Sequence, residues 1–125
     1  MQTVAVYGSL KLGRYNHPLI SSCKFLGEST IKGTMYSLGT YPALIEEGDD
    51  EHKVELYELP DDIYLRVKRM EIGASYVEKE VDFKLRQVGT MHSYPKEVEV
   101  KAKVYFASPQ LEQYCERNTN IIKIY

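Results

Sequence analysis

The chain has 125 residues, a length typical of one domain with its own core. Its 16 basic and 18 acidic residues give a net charge of −2, and the basic residues form no stripe, so nucleic acid is excluded as the expected partner. No apolar stretch approaches the roughly 20 residues of a spanning helix, and the N-terminus lacks a signal-peptide pattern, so we expect a cytoplasmic protein with no membrane partner.

The first predicted strand ends in Tyr7-Gly8-Ser9-Leu10. A strand that stops at a Gly-Ser turn frees backbone N–H groups from the sheet, and these groups with a Ser hydroxyl can hold a carboxylate or an oxyanion. Gly8 and Gly13 have phosphate-loop spacing, but Arg14 and Tyr15 replace the residues that would bind phosphate and Mg²⁺. A nucleotide site is therefore excluded. Two interpretations stay open, an anion-binding turn and a turn in which Gly8 has only a conformational role.

Alternation of side chains and short apolar runs predict six strands. The shorter ones cover residues 3–7, 32–38, 43–46 and 54–59. Residues 76–88 and 97–107 alternate apolar and mostly charged side chains, and we expect them to pair as a long antiparallel hairpin. Residues 48–53 and 89–96 are predicted loops, because they are polar and contain Gly or Pro.

Two helices are predicted. Residues 61–71 place Ile63, Val67 and Met70 on one stripe, and a second helix begins at Ser108-Pro109 and continues to about residue 117. The predicted fold is therefore a single α+β domain over residues 1–125, a small, mostly antiparallel β-barrel with few flanking helices. The sheet is expected to be strongly curved or closed, because six strands with so few helices would otherwise leave their edges bare.

Glu71 closes the first predicted helix beside Met70 and Ile72. The negative end of the helix dipole and the scarcity of neighbouring cations predict a raised pKa for this carboxyl, as suits an acid/base near neutral pH. The alternative is a hydrated last-turn glutamate with an ordinary pKa.

No metal site is predicted. His17, His52 and His92 lie far apart, without the spacing of metal ligands, and each is expected in an exposed loop. Cys23 and Cys115 are expected to stay reduced in a chain without an export signal.

The order of short motifs resembles the gamma-glutamylcyclotransferase-like family, in its gamma-glutamylamine cyclotransferase and AIG2-like branch. The resemblance covers residues 4 to 107, and the ordered succession is far more specific than any single motif. The motifs are Tyr7-Gly8-Ser9-Leu10, Asn16, Gly33-Thr34-Met35-Tyr36-Ser37-Leu38-Gly39, Tyr41-Pro42-Ala43-Leu44, Val54-Glu55-Leu56-Tyr57-Glu58-Leu59, Met70-Glu71-Ile72-Gly73, Tyr76 and Lys103-Val104-Tyr105.

The resemblance implies an enzyme that converts a γ-glutamyl amide to 5-oxoproline and a free amine without a metal or organic cofactor. It implies Glu71 as the catalytic acid/base and the Tyr7-Gly8-Ser9-Leu10 turn as the binding site for the γ-glutamyl part of a small-molecule substrate. Tyr76 and Tyr105 are predicted to face the ligand, since a buried phenol needs a polar partner. Packing in the core is the alternative for both.

The chain departs from the family pattern around Glu71. Members often have Asp two residues before the catalytic Glu and Gly directly after it, whereas this chain has Arg69 and Ile72, with Gly73 displaced by one. Lys53 or Val54 stands where a Gly usually precedes the Glu-Leu-Tyr strand. A non-catalytic protein on the same scaffold, which binds a small metabolite or another protein, therefore remains the alternative function.

Overall fold

A computed structural model describes residues 1–8, 10–14, 16–38, 42–87, 96–118 and 121–124, with the side chains of residues 86, 87, 96 and 122–124 left out. The helices are α1 (Asp61–Gly73), α2 (Pro109–Arg117) and a 3-10 turn (His17–Leu19). The strands are β1 (Gln2–Val6), β2 (Lys24–Lys32), β3 (Thr34–Ser37), β4 (Pro42–Ile45), β5 (Glu51–Leu59), β6 (Tyr76–Gln87), β7 (Lys96–Ala107) and β8 (Ile122–Ile124). In this part of the chain, no helix is long and apolar enough to cross a membrane.

The strands form two sheets. The larger has the order β2-β5-β1-β7-β6, and the smaller has the order β4-β3-β8. β1 runs parallel to β7, and every other pairing of described strands is antiparallel. The α+β class and the mostly antiparallel sheet are therefore confirmed, as is the β6–β7 hairpin.

The larger sheet curves without closing. The Ser29 hydroxyl on β2 donates to the Lys84 carbonyl on β6 at 2.9 Å, so the two outer strands lie close together. No ladder between described residues joins them, however. "Barrel" is therefore a loose description of this sheet.

β1 is covered on both faces, which explains its continuous apolar run. Val4 and Val6 pack in a core with Val67 of α1 and Cys115 of α2. Ala5 points the other way, into a second core that includes Phe83 of β6 and residues of the smaller sheet. The turn after β1 therefore leaves from the middle of the molecule.

Both predicted helices are present. α1 ends at Gly73, two residues later than predicted, and buries Tyr64 and Val67. The predicted cap of α2 is confirmed, because the Ser108 hydroxyl accepts from the Leu111 N–H at 3.2 Å.

At two strands the structure differs from the sequence-based prediction, for identifiable reasons. β2 was not predicted, because it is an outer strand whose only buried residue is Ile31. The predicted loop over residues 48–53 is wrong in its second half, since β5 begins at Glu51. His52 is consequently buried rather than exposed, and its Nε2 lies 2.9 Å from the Gly33 carbonyl oxygen. His92 lies outside the described residues.

Candidate active site

A cavity of about 190 Å³ opens where β1 ends. It gathers six of the seven site residues predicted from the sequence, which are Tyr7, Gly8, Leu10, Glu71, Tyr76 and Tyr105. The seventh, Ser9, lies outside the described residues. Six further residues line the cavity, namely Ala5, Val6, Asn16, Pro42, Met70 and Ala74.

The turn after β1 is held close to β4. The Lys11 N–H donates to the Gly8 carbonyl at 3.0 Å, which closes the turn. A Cβ on Gly8 would stand 2.9 Å from Pro42 Cδ, closer than side chains pack, so the backbone approaches the cavity wall only because residue 8 is glycine.

The rest of the turn is tied down by polar contacts. The Leu10 carbonyl lies 2.8 Å from His17 Nδ1, and the Leu12 N–H donates to Glu55 Oε1 at 2.9 Å. Leu10 itself is almost fully buried. A turn fixed at these points presents its backbone to a ligand with little reorganisation.

Glu71 reaches the cavity from the last turn of α1. Burial raises the pKa of its carboxyl from an ordinary 4.5 to about 7. The described lining contains no Lys, Arg or His that would offset this loss of hydration. The sequence predicted the direction of the shift from the helix end, but the cause in the structure is burial.

Each of the three tyrosines of the cavity donates a hydrogen bond from its hydroxyl to another group of the protein. The Tyr7 hydroxyl donates to the Tyr105 carbonyl, and the Tyr76 hydroxyl donates to the Pro42 carbonyl at 2.6 Å. The Tyr105 hydroxyl donates to Glu78 Oε1 at 2.9 Å. Because a hydroxyl has one proton, a phenol that donates in this way can act toward a ligand only as an acceptor. That Tyr76 and Tyr105 face the ligand stays a prediction.

Burial raises the pKa of Tyr7 well above its usual value, and the charges of Tyr76 and Glu71 raise it further. Phenol and carboxyl are therefore near enough to interact within the cavity.

Ala5, Val6 and Ala74 were missed as lining residues, since apolar side chains carry no site signal in a sequence. In the described residues, no cluster of three or more His, Cys, Asp and Glu could hold a metal ion.

The family model "Gamma-glutamyl cyclotransferase, AIG2-like" matches residues 4–122. A Pyrococcus horikoshii protein, PH0828, which carries the provisional name gamma-glutamylcyclotransferase, is 36% identical over 81 residues, or 65% of this chain and 69% of that protein. The chain belongs to the gamma-glutamyl cyclotransferase, AIG2-like family.

Solved structures show the same fold. The crystal structure of PH0828 aligns with a TM-score of 0.62 and 28% identity, covering 86% of this chain and 78% of that one. The uropathogenic E. coli-specific protein c4763 aligns with a TM-score of 0.66 and 18% identity over 98% and 87% of the two chains. Kluyveromyces lactis allophanate hydrolase shares the fold over 19% of its length and 98% of this chain, with a TM-score of 0.64 and 14% identity.

Proposed function

We propose that this member of the AIG2-like family is a gamma-glutamylcyclotransferase that converts a γ-glutamyl amine or γ-glutamyl amino acid to 5-oxoproline and a free amine. The observation that carries the proposal is the Glu71 carboxyl, whose pKa burial raises to about 7, in a cavity beside the turn after β1. A carboxyl with this pKa can take up and return a proton near neutral pH.

In the proposed reaction, Glu71 first takes a proton from the α-ammonium group of the substrate. The freed amine attacks the γ-carbonyl carbon, a C–N bond closes the five-membered ring, and the carbonyl oxygen becomes negative. The negative oxygen then re-forms the C=O bond, and the bond from that carbon to the leaving nitrogen breaks as this nitrogen takes the electron pair and receives the proton from Glu71. The second proton of the ring nitrogen passes through Glu71 to the released amine, which leaves as an ammonium ion.

The cavity supports the two other requirements of ring closure. Backbone N–H groups of the turn that contains Gly8, Ser9 and Leu10 are proposed to hold the negative oxygen of the intermediate. The confined, largely apolar space is proposed to keep the γ-glutamyl chain folded, with its amine near its own carbonyl carbon. No separate nucleophile or cofactor is needed, because the substrate supplies the attacking amine.

The departures from the family pattern lie away from the cavity. Arg69 is exposed, and Ile72 keeps 52% of its surface in contact with solvent. Neither residue lines the cavity. The two residues therefore add no side chain to the described lining around Glu71, which favours retained activity.

A panel of γ-glutamyl amines and γ-glutamyl amino acids, with mass-spectrometric detection of 5-oxoproline, tests the proposal. We expect release from at least one compound and, in Glu71→Gln, a loss of about 10²- to 10⁴-fold in rate, because the neutral amide cannot transfer the proton. The matched control is Glu80→Gln, the same change at an exposed position of β6.

Calorimetry with the same compounds separates catalysis from capture. Tight binding by the parent protein without 5-oxoproline release over hours would select the non-catalytic function. Equal rates for the parent and Glu71→Gln would show that another group transfers the proton.

A further inference from the structure

A polar cluster joins α1 to the β6–β7 hairpin behind the cavity. Its centre is Glu78, whose side chain is 18% exposed and which does not line the cavity. Glu78 Oε1 accepts from the hydroxyls of Tyr64 and Tyr105, and Glu78 Oε2 lies 3.5 Å from Lys68 Nζ. Three donors from two helix positions and one strand thus converge on one carboxylate.

The backbone register explains this convergence. Glu78 on β6 stands directly opposite Tyr105 on β7, so their side chains share one face of the hairpin. Tyr64 and Lys68 are four residues apart on α1 and therefore lie on one side of that helix. Glu71, one turn after Lys68, is carried by the same helix.

The Tyr105 phenol interacts with two carboxyl groups, through a hydrogen bond with Glu78 and electrostatically with Glu71. Burial raises the pKa of Tyr105 well above its usual value, and the charges of Glu78 and Glu71 both raise it further. The Tyr105 hydroxyl donates its hydrogen bond to Glu78, so toward any other partner the phenol oxygen can act only as an acceptor. An acceptor suits an ammonium or amine group of a ligand, whereas a free phenol proton would compete for the carboxylate of Glu71.

We propose that Glu78 is a positioning residue that binds the Tyr105 phenol proton, so that the phenol oxygen accepts from the substrate amine and Glu71 stays free to take the amine proton. Through Tyr64 and Lys68 the same carboxylate fixes the helix that carries Glu71. This inference rests on the proposed function.

Glu78 is ionised when it does this. Burial alone would raise its pKa, but the hydrogen bonds from Tyr64 and Tyr105 and the charges of Lys103 and Lys68 outweigh burial and lower it. Lys103 also donates to the Tyr64 hydroxyl oxygen at 3.3 Å, which completes the cluster. The carboxylate therefore remains an acceptor throughout the neutral range.

Four proteins test the inference: the parent, Glu78→Gln, Tyr105→Phe and the double variant. The two phenols donate to one carboxylate oxygen and Lys68 lies at the other. A glutamine has only one acceptor oxygen, and when that oxygen faces the Lys68 cation the phenols meet an NH₂ group that cannot accept from them. We expect Glu78→Gln to lower kcat/KM by about 10- to 100-fold, the loss that accompanies a small misplacement of a reacting group. In the Tyr105→Phe background the same change should cost less than about 3-fold, because the phenol through which it acts is gone.

The carboxyl of Glu71 provides a readout that needs no substrate. The titratable side chains that line the cavity with it are Tyr7, Tyr76 and Tyr105. In Glu78→Gln the Tyr105 hydroxyl, which has lost its acceptor, can donate its hydrogen bond to the Glu71 carboxylate instead. Carbon-13 NMR should then show the pKa of Glu71 lowered by about half a unit or more. No such change is expected when Glu78→Gln is made in Tyr105→Phe.

Glu99→Gln is the matched control, since Glu99 on β7 is exposed and stands opposite Lys84, away from the cluster. It should leave both kcat/KM and the pKa of Glu71 unchanged. An equal loss from Glu78→Gln with and without the Tyr105 hydroxyl, or no loss at all in an active parent, would overturn the inference. A parent that releases no 5-oxoproline from any compound would instead overturn the proposed function, and an unchanged pKa of Glu71 in Glu78→Gln would still count against the cluster.

Discussion

Glu71→Gln should make the protein more stable at alkaline pH. Burial raises the pKa of the carboxyl from 4.5 to about 7, so the folded state binds its proton more tightly than the unfolded chain does. The stability contributed by this proton is complete below the pKa that Glu71 has in the unfolded chain. It is lost as the pH rises through the pKa that Glu71 has in the folded protein. The amide has a similar shape and no proton to lose.

The expected size of the effect follows from the same values. Each pKa unit corresponds to about 1.4 kcal/mol. The rise from 4.5 to about 7 therefore gives a difference of about 3 kcal/mol in the free energy of unfolding between acid and alkaline pH. The parent and Glu71→Gln should be nearly equal near pH ~4, and the variant should be more stable by about this amount near pH ~9.

Urea unfolding followed by circular dichroism, repeated across this pH range, measures the difference directly. Subtracting the two proteins at each pH cancels the titration of all other groups, provided that they do not interact with residue 71. Glu80→Gln, at an exposed position, should show no comparable trend. A constant difference between the parent and Glu71→Gln at all pH values would refute the buried, proton-binding carboxyl.

Four further outcomes are expected. For the parent, kcat/KM should fall on the acid side with an apparent pKa near 7, as Glu71 becomes protonated, and a flat profile into strong acid would contradict a base role. Gly8→Val should weaken ligand binding in calorimetry, because a side chain there meets Pro42, whereas Ser9→Ala should cost at most about 10²- to 10³-fold in rate. Tyr76→Phe should lower the free energy of unfolding by about 1 kcal/mol in urea, since the Pro42 carbonyl loses its donor, and an unchanged midpoint would contradict this.

The sequence predicts those helices and strands whose side-chain pattern or capping residues are visible within the segment itself. Alternation alone identifies β6 and β7, and Ser108 with Pro109 marks the start of α2. β2 escaped prediction because its two faces are both largely solvated and Gly27, at a φ of 145°, interrupts it with a register shift. An outer strand of this kind lacks the buried stripe on which prediction depends.

The sequence could predict which residues belong to the site, but it could not predict how they are arranged in space. The ordered motifs point to Glu71 and to the turn at Gly8, but the burial that shifts the pKa of Glu71 comes from residues distant in the chain. Glu78 was missed altogether. Its position opposite Tyr105 depends on the register of the hairpin, which the alternating pattern leaves undetermined.

The central position of β1 has a consequence for folding. β1 comes before the other strands of this fold in chain order, yet its neighbours in the sheet are residues 55–59 of β5 and a position near Lys103 of β7. Val4, Ala5 and Val6 are nearly inaccessible in the finished molecule, but the edge of β1 that faces β7 stays unpaired until the hairpin is added. Such distant pairings slow folding and prolong the exposure of an aggregation-prone segment. A chain in which β7 has not yet formed therefore carries this apolar strand with one edge open to pairing with another chain.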